Sequence, residues 1–209
     1  NTSTVGGVAE QDDSYVTGRL QLNWSVTDDL LLYGSYSRGK KSAGFNNGFL
    51  DTTQVFGNNP IESIPFDSET LDAYEVGLKS TVLSDTTRLN ASLFYYTYTD
   101  LQLVYFDSGS SQVANVGEAE GKGVEVDLRF VPTPHWDIML GLSLLDTEIT
   151  DADDIIALGA CGDCDGNNLP FAPEVSASAI VTYERPTASG EMFFTTEYVY
   201  RSKMYGGPD

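Results

Sequence analysis

Two cysteines, one histidine and several clustered carboxylates are the residues from which chemistry could be built. Cys161-Gly-Asp-Cys164 has the C-x-x-C spacing of a redox motif or of half a zinc site. A structural zinc needs four ligands, yet the sequence offers no second cysteine pair and no nearby histidine, His135 falling in a separate turn. In an oxidising compartment Cys161 and Cys164 are expected to close a small disulfide that pins their loop; free thiols and metal binding are the alternatives. Asp163, Asp165 and Asn167 echo the spacing of oxygen ligands in a calcium loop but lack the closing bidentate glutamate. Asp151, Asp153 and Asp154 crowd the same stretch, and an acidic loop is ordinarily just solvated. No nucleophile motif and no glycine-rich phosphate loop is present, so neither an enzyme nor a bound cofactor is expected.

Two further sets could bind rather than react. Lys40, Lys41, Phe45, Asn46 and Phe49 put basic and aromatic side chains into one long loop, a candidate ligand-facing surface as much as an ordinary solvated one. Glu75 and Lys79 stand four residues apart, on one side of a strand; Glu125, Asp127 and Arg129 alternate in the same manner on another.

Long alternating segments must position these groups. From Val16 to Val26 every even position is apolar or glycine and every odd one polar. The pattern returns at 88–95, 124–130, 138–144 and 175–183, and less cleanly at 30–39, 70–82 and 192–200. About eight strands of roughly ten to sixteen residues are implied, longer than those of soluble sheets. Short turns near Asp28, 83–87, 131–135 and 185–190 alternate with longer polar connections at 40–69 and 151–170 and a shorter one at 107–112. Long strands, strict alternation and this asymmetry predict an antiparallel up-and-down transmembrane β-barrel. Tyrosines near the strand ends suit an interfacial girdle, although tyrosine favours strands in any case.

Averaged over the chain these features vanish. The 209 residues carry 31 acidic against 11 basic side chains, a net charge of −20, and 41% hydrophobic residues. Such a balance repels phosphate backbones and excludes a nucleic-acid partner. No apolar run is long enough for a transmembrane helix, and Asn1-Thr-Ser-Thr does not read as a signal peptide. The −20 is expected to sit largely on loops and on the polar face.

Five stretches, in order, resemble the TonB-dependent receptors of Gram-negative outer membranes. They are Leu31-Leu-Tyr-Gly-Ser-Tyr-Ser-Arg-Gly-Lys-Lys-Ser-Ala-Gly-Phe-Asn, Ser68-Glu-Thr-Leu-Asp-Ala-Tyr-Glu-Val-Gly-Leu-Lys-Ser and Arg88-Leu-Asn-Ala-Ser-Leu-Phe-Tyr-Tyr-Thr-Tyr-Thr-Asp-Leu-Gln. Asn115-Val-Gly-Glu-Ala-Glu-Gly-Lys-Gly-Val-Glu-Val-Asp and Leu169-Pro-Phe-Ala-Pro-Glu follow. The second is the most specific, since the family writes this strand Glu-Thr-x-x-x-Tyr-Glu-x-Gly-x-Lys. The resemblance implies residues 1–209 are part of a barrel of about 22 strands, in the outer membrane, without the plug, the TonB box and the terminal aromatic strand. It further implies import of a scarce ligand, most often a ferric siderophore, energised through TonB. The partners would be outer-membrane lipid, the receptor's own plug domain and TonB. Glu75, Lys79, Glu125, Asp127 and Arg129 are then expected to face the lumen or plug. Two rival readings remain: a self-contained eight-strand barrel with a structural or adhesin role, and a soluble β-rich binding module.

Overall fold

A computed structural model describes residues 10–46, 65–82, 85–107, 110–152 and 163–207. Regular structure among them is entirely β, and no helix long and apolar enough to cross a membrane occurs there. The strands are β1 (Gly18–Thr27), β2 (Leu30–Lys41), β3 (Gly44–Phe45), β4 (Pro65–Phe66), β5 (Glu69–Val82), β6 (Thr87–Asp107), β7 (Ser110–Thr133), β8 (Trp136–Asp151), β9 (Val175–Thr187) and β10 (Gly190–Arg201). Eight of them form one sheet in the order β1-β2-β5-β6-β7-β8-β9-β10, every pair antiparallel; β3 and β4 make a separate two-residue ladder. The sheet is open, with β1 and β10 at its two edges, so it is not a closed eight-strand barrel.

The eight strands read from alternation are all present. The first starts at Gly18 rather than Val16, because pairing with Arg38 begins there and Val16 lies 85% exposed outside the ladder. β6 and β7 run 21 and 24 residues, beyond the expected sixteen. Their extra length is a hairpin that pairs from Leu101–Val116 out to Asp107–Ser110, occupying most of the anticipated 107–112 loop. Periodicity missed it because neither face of that hairpin meets lipid.

Register converts the strand patterns into rows that cross the whole sheet. One row runs Leu22, Gly34, Val76, Leu93, Val124, Leu144, Val175. The next, on the opposite face, runs Asn23, Tyr33, Gly77, Ser92, Glu125, Ser143, Ser176, Arg201. The third returns to the first face with Trp24, Leu32, Leu78, Ala91, Val126, Leu142, Ala177, Tyr200. A slip of one residue in any strand would break every row, so the alternation of all eight fixes the pairing.

Aromatic and charged residues bound the apolar face. Toward the long-loop end the row Leu20, Tyr36, Tyr74, Tyr95, Lys122, Asp146 closes it, and at the short-turn end Trp136, Tyr183 and Phe194 do so. From Trp136 to Leu144 the outward residues of β8 are continuously apolar. Those eight steps cover about 27 Å of strand at ~3.4 Å per residue, about 20 Å of height at a tilt near 40°.

Close packing lies beyond that band. Leu101, Ala119, Ile149, Ala152 and Cys164 form a buried cluster, with Tyr98, Leu103 and Leu169 against it. Residues 163–169 are stitched to β8 through Ile149 N–H to Asn167 O (2.8 Å), Gly166 N–H to Ile149 O (2.8 Å) and Leu169 N–H to Thr147 Oγ1 (3.1 Å). The long-loop end therefore has a core of its own, while the membrane-height sheet is a single layer.

Candidate functional site

The polar face is the one that carries chemistry. On it Tyr33 of β2 stands directly opposite Gly77 of β5, and its ring lies where a side chain at Gly77 would be: an ideal Cβ there comes within 2.6 Å of Tyr33 Cζ. The Tyr33 hydroxyl donates a hydrogen bond to Glu75 Oε1, and Lys79 Nζ sits 5.7 Å from the Tyr33 ring centroid. Glu75 and Lys79 thus share the face the sequence indicated, and both engage Tyr33 rather than each other. Phe94 and Tyr96 of β6 repeat the device over Gly123 and Gly121 of β7, approaching ideal Cβ positions to 2.4 Å and 2.3 Å. Glycine is favoured at these positions because the neighbouring strand's ring occupies the space, and at Gly77 and Gly123 a backbone oxygen also lies within 2.7 Å and 2.4 Å of the ideal Cβ.

Arg129 is tied at the short-turn end by two hydrogen bonds to Asp137, Nε to Oδ1 at 3.0 Å and Nη2 to Oδ2 at 2.6 Å. Glu125 and Asp127 lie higher on β7, opposite Ser143 and Gly141 of β8. They line an open groove of about 320 Å³ with Ser143, Ser176, Ser178 and Arg201. All five residues expected to face a lumen therefore share one face, but in separate neighbourhoods: one around Tyr33, one on β7 above the groove, and one ion pair.

The long-loop end is held by amides and charges. Asn46 uses its amide as a mock strand residue, donating to Val113 O at 2.8 Å and accepting from Val113 N–H at 2.7 Å. Asn115 does the same to Asp67, and Gln102 binds Glu69, Ser42 and Asp67. Lys40 Nζ reaches Asp13 Oδ1 at 3.1 Å and lies 5.3 Å from the Tyr15 ring centroid, clipping residues preceding β1 to the end of β2. The hydrogen bond from Lys40 is the largest influence holding the Asp13 carboxyl below its ordinary range. Lys41 Nζ is 4.0 Å from Glu69 and largely exposed; Phe45 pairs with Pro65 in the short ladder and is 39% exposed. Phe49 lies outside the described residues.

Cys164 is fully buried in the loop-end core and disulfide-bonded; Cys161 lies outside the described residues. Asp165 and Gly166 make the turn of that segment, where the Asn167 side chain donates to Asp163 O at 3.1 Å. Asp163 and Asp165 are exposed, and no cluster of three or more metal-ligating His, Cys, Asp or Glu occurs among the described residues.

Sequence reasoning missed the partners: Tyr33, the glycines beneath the rings, Asp137, and the Gln102 and Asn115 amides. Their signal lies in cross-strand register, which a single strand's pattern does not contain.

The opposite face is apolar and exposed across eight strands, with Leu22 at 74%, Val76 and Leu93 at 56% and Leu142 at 43%. A soluble module would not leave so continuous an apolar sheet face in water. The model of the "TonB dependent receptor-like, beta-barrel" family matches residues 1–209. The chain belongs to the TonB-dependent receptor family. It is accordingly part of an outer-membrane protein of a Gram-negative bacterium, a receptor barrel and not an enzyme. The probable TonB-dependent siderophore receptor PiuA of Acinetobacter baumannii is 26% identical over 98% of this chain and 27% of its own length. The pesticin receptor of Yersinia enterocolitica is 26% identical over 84% of the chain and 24% of its length. Among solved structures the ferric yersiniabactin uptake receptor FyuA of Yersinia pestis superposes with a TM-score of 0.72 at 23% identity, covering 92% of this chain and 27% of that one. The chain spans about a quarter of the length of each of these relatives.

Proposed function

We propose that residues 1–209 form one sector of the wall of an outer-membrane receptor that imports an iron–siderophore complex, energised through TonB. The observation that carries this reading is the set of unbroken rows, lipid-compatible on one face and hydrophilic on the other, beneath a separately packed loop end. Such a wall keeps polar groups in a wet lumen, where charges are not desolvated, and gives lipid only apolar surface. Relatives named as siderophore and ferric-chelate uptake receptors supply the ligand class. In the intact receptor the polar face, with Glu75, Lys79, Glu125, Asp127 and Arg129, encloses a plug domain. Lys41 and Phe45 join the ligand-facing surface at the long-loop end. Lys40, held by Asp13, and Asn46, held by Val113, shape that surface from behind.

The test is growth of the source bacterium under iron starvation with single purified ferric chelates. The strain lacking the receptor should lose use of at least one chelate, with recovery by the intact gene but not by one whose TonB box is deleted. Unchanged use of every chelate, or rescue that ignores the TonB box, would overturn the proposal. Joint replacement of Lys41 and Phe45 by alanine should weaken chelate binding about tenfold, as expected for losing about 1.4 kcal/mol.

A further inference from the structure

Three described residues other than glycine have left-handed backbone: Asp85, Asp100 and Phe171. Aspartate visits that region readily because its short polar side chain bonds locally, whereas a bulky ring there is a strained exception. Phe171 has φ 58°. Packing does not offset the strain, since the residue is 70% exposed. Lipid does not account for the exposure either. The segment that carries Phe171 runs on the polar side of the sheet: Leu169 N–H bonds the hydroxyl of Thr147, and Thr147 stands opposite Gly121 on that face. What holds Phe171 is backbone. Its N–H donates to Tyr205 O at 2.8 Å, and Pro170 and Pro173 stiffen the chain on either side. Residues held in such conformations concentrate where a ligand makes use of them.

The bond to Tyr205 brings the residues after β10 against this turn. Tyr205 lines an open groove of about 370 Å³ with Gly166, Asn167 and Asn168, and Phe171 stands at its margin, three residues beyond Asn168. A Cβ added at Gly166 would meet nothing within 4 Å, so the space above that residue is free. Tyr205 is 44% exposed, and Lys203 lies over its ring with Nζ 4.5 Å from the centroid. The Asn167 amide is committed to Asp163 O. Asn168 reaches Glu174 Oε1 only at 3.5 Å, the outer limit of a hydrogen bond, which leaves its amide able to donate and to accept. No cation lines the groove among the described residues, so it is not built for an anion.

We propose that this groove is a saccharide subsite, in which a pyranose ring lies against Phe171 and Tyr205 while its hydroxyls bond the Asn168 amide. Each sugar hydroxyl both donates and accepts, and an amide offers one group of each kind. The carbon-bound hydrogens of a pyranose make an apolar, weakly positive face that suits the negative face of an aromatic ring. The volume falls at the small end of ligand pockets, about 300–1,000 Å³, with room for one or two sugar rings. Two sources carry such a ring: a soluble oligosaccharide and the sugar chain of an outer-leaflet glycolipid. The inference uses only the placement of the long-loop end at the cell surface, not the import of a chelate.

The experiment uses the full-length receptor in detergent, without chelate. It is titrated with maltotriose, cellotriose and mannotriose, and separately with the lipid-free core oligosaccharide of the source strain; saturation-transfer NMR reads contact and calorimetry reads affinity. At least one probe should bind, with saturation concentrated on the carbon-bound hydrogens of one ring. Phe171→Ala and, separately, Asn168→Ala should each weaken it about fivefold or more, and Phe171→Trp should hold affinity within about twofold. A neutral trisaccharide that binds alone supports the subsite and identifies a soluble ligand; the core oligosaccharide binding alone supports it and identifies a surface glycan. Phe171→Gly removes strain and ring together, so it should raise thermal stability while abolishing saturation transfer. Heat-modifiable gel mobility verifies that each variant barrel is folded. No saturation transfer from any probe at about 10 mM would overturn the proposal. So would affinity unchanged in both alanine variants, or a loss of stability in Phe171→Gly, which would mark the ring as structural. Chelate uptake is untouched by any of these failures, and the receptor reading would stand.

Discussion

Gly121 and Tyr96 provide the sharpest test of the wall's construction. An alanine Cβ at Gly121 would lie 2.3 Å from Tyr96 Cζ and 2.4 Å from its hydroxyl oxygen, and meets only that side chain among its nearest atoms. Tyr96 must therefore swing away, giving up ring contacts with Phe94 at 6.1 Å and Tyr98 at 5.5 Å. Each ring pair contributes about 0.5–1.5 kcal/mol beyond area burial. Against this, alanine in a strand gains about 0.5–1 kcal/mol over glycine from the unfolded chain. Gly121→Ala should then cost about 1 kcal/mol net, whereas in a Tyr96→Ala background the same change should be neutral or mildly stabilising. The cycle should yield a coupling of about 1–2 kcal/mol. Denaturant unfolding of the receptor refolded in lipid vesicles, followed by tryptophan fluorescence, measures all four corners. Additive effects, with coupling below about 0.4 kcal/mol, would show that the ring does not sit over the glycine. Gly123→Ala should be worse than Gly121→Ala, because its Cβ also comes within 2.4 Å of the Leu144 backbone oxygen, which no rotamer change can relieve.

Leu93→Arg and Ser92→Arg place the same charge on opposite faces of β6. The first should destabilise the barrel in lipid by about 2–4 kcal/mol and the second by under about 1, as measured by vesicle refolding. Ile149, fully buried in the loop-end core, should cost about 2–5 kcal/mol on truncation to alanine; limited proteolysis should then cut residues 163–169 while the membrane-level strands stay intact. The Asp13–Lys40 clip should respond to acid. With the Asp13 carboxyl depressed by its bond from Lys40, the clip's contribution is complete above about pH 4. It disappears as pH falls through the lowered value. Hydrogen exchange over residues 10–17 should accelerate in that acid window beyond the intrinsic pH effect, and Asp13→Asn should abolish the difference.

How much of this was readable beforehand depends on whether a residue's role is set along its own strand or across to the next. Leu20, Leu22 and Trp24 declare their face by alternation alone, since lipid acts on every second residue in the same way. So do the paired carboxylates of β7. The Tyr33–Gly77 fit is invisible in either strand: Tyr33 reads as one more girdle tyrosine and Gly77 as a weak strand position. Only the register that sets residue 33 against residue 77 gives them a common purpose. The β6–β7 hairpin was illegible for the complementary reason. Beyond Tyr95 its neighbours include Asn46 and Asp67 from the connection between β2 and β5 and Glu69 at the start of β5, so no single solvent imposes a period.

Charge shows what the wall does with a net −20. Among the described residues the polar face from the Arg19 row to the Glu184 row carries Arg19, Lys79, Arg88, Arg129 and Arg201 against Glu75, Glu125, Asp127, Asp137, Glu184 and Glu197, five positive and six negative. Of the two places expected to hold the excess, loops and polar face, the polar face is close to balanced. The surplus lies outside the band, in residues such as Asp12, Asp67, Asp100, Glu118, Glu148, Asp163 and Asp165 of the long-loop end. A nearly balanced wall carries charges of both signs without a large field across the lumen, whereas an acidic rim in open solvent is screened within about 8 Å at physiological salt. Balance in sum leaves individual charges unmatched, however. Glu125 and Asp127 border a trough and have no cation directly opposite on either adjacent strand, Arg88 of β6 standing one same-face step away, opposite Arg129. A group that enters that trough therefore meets a local field which the wall as a whole does not have.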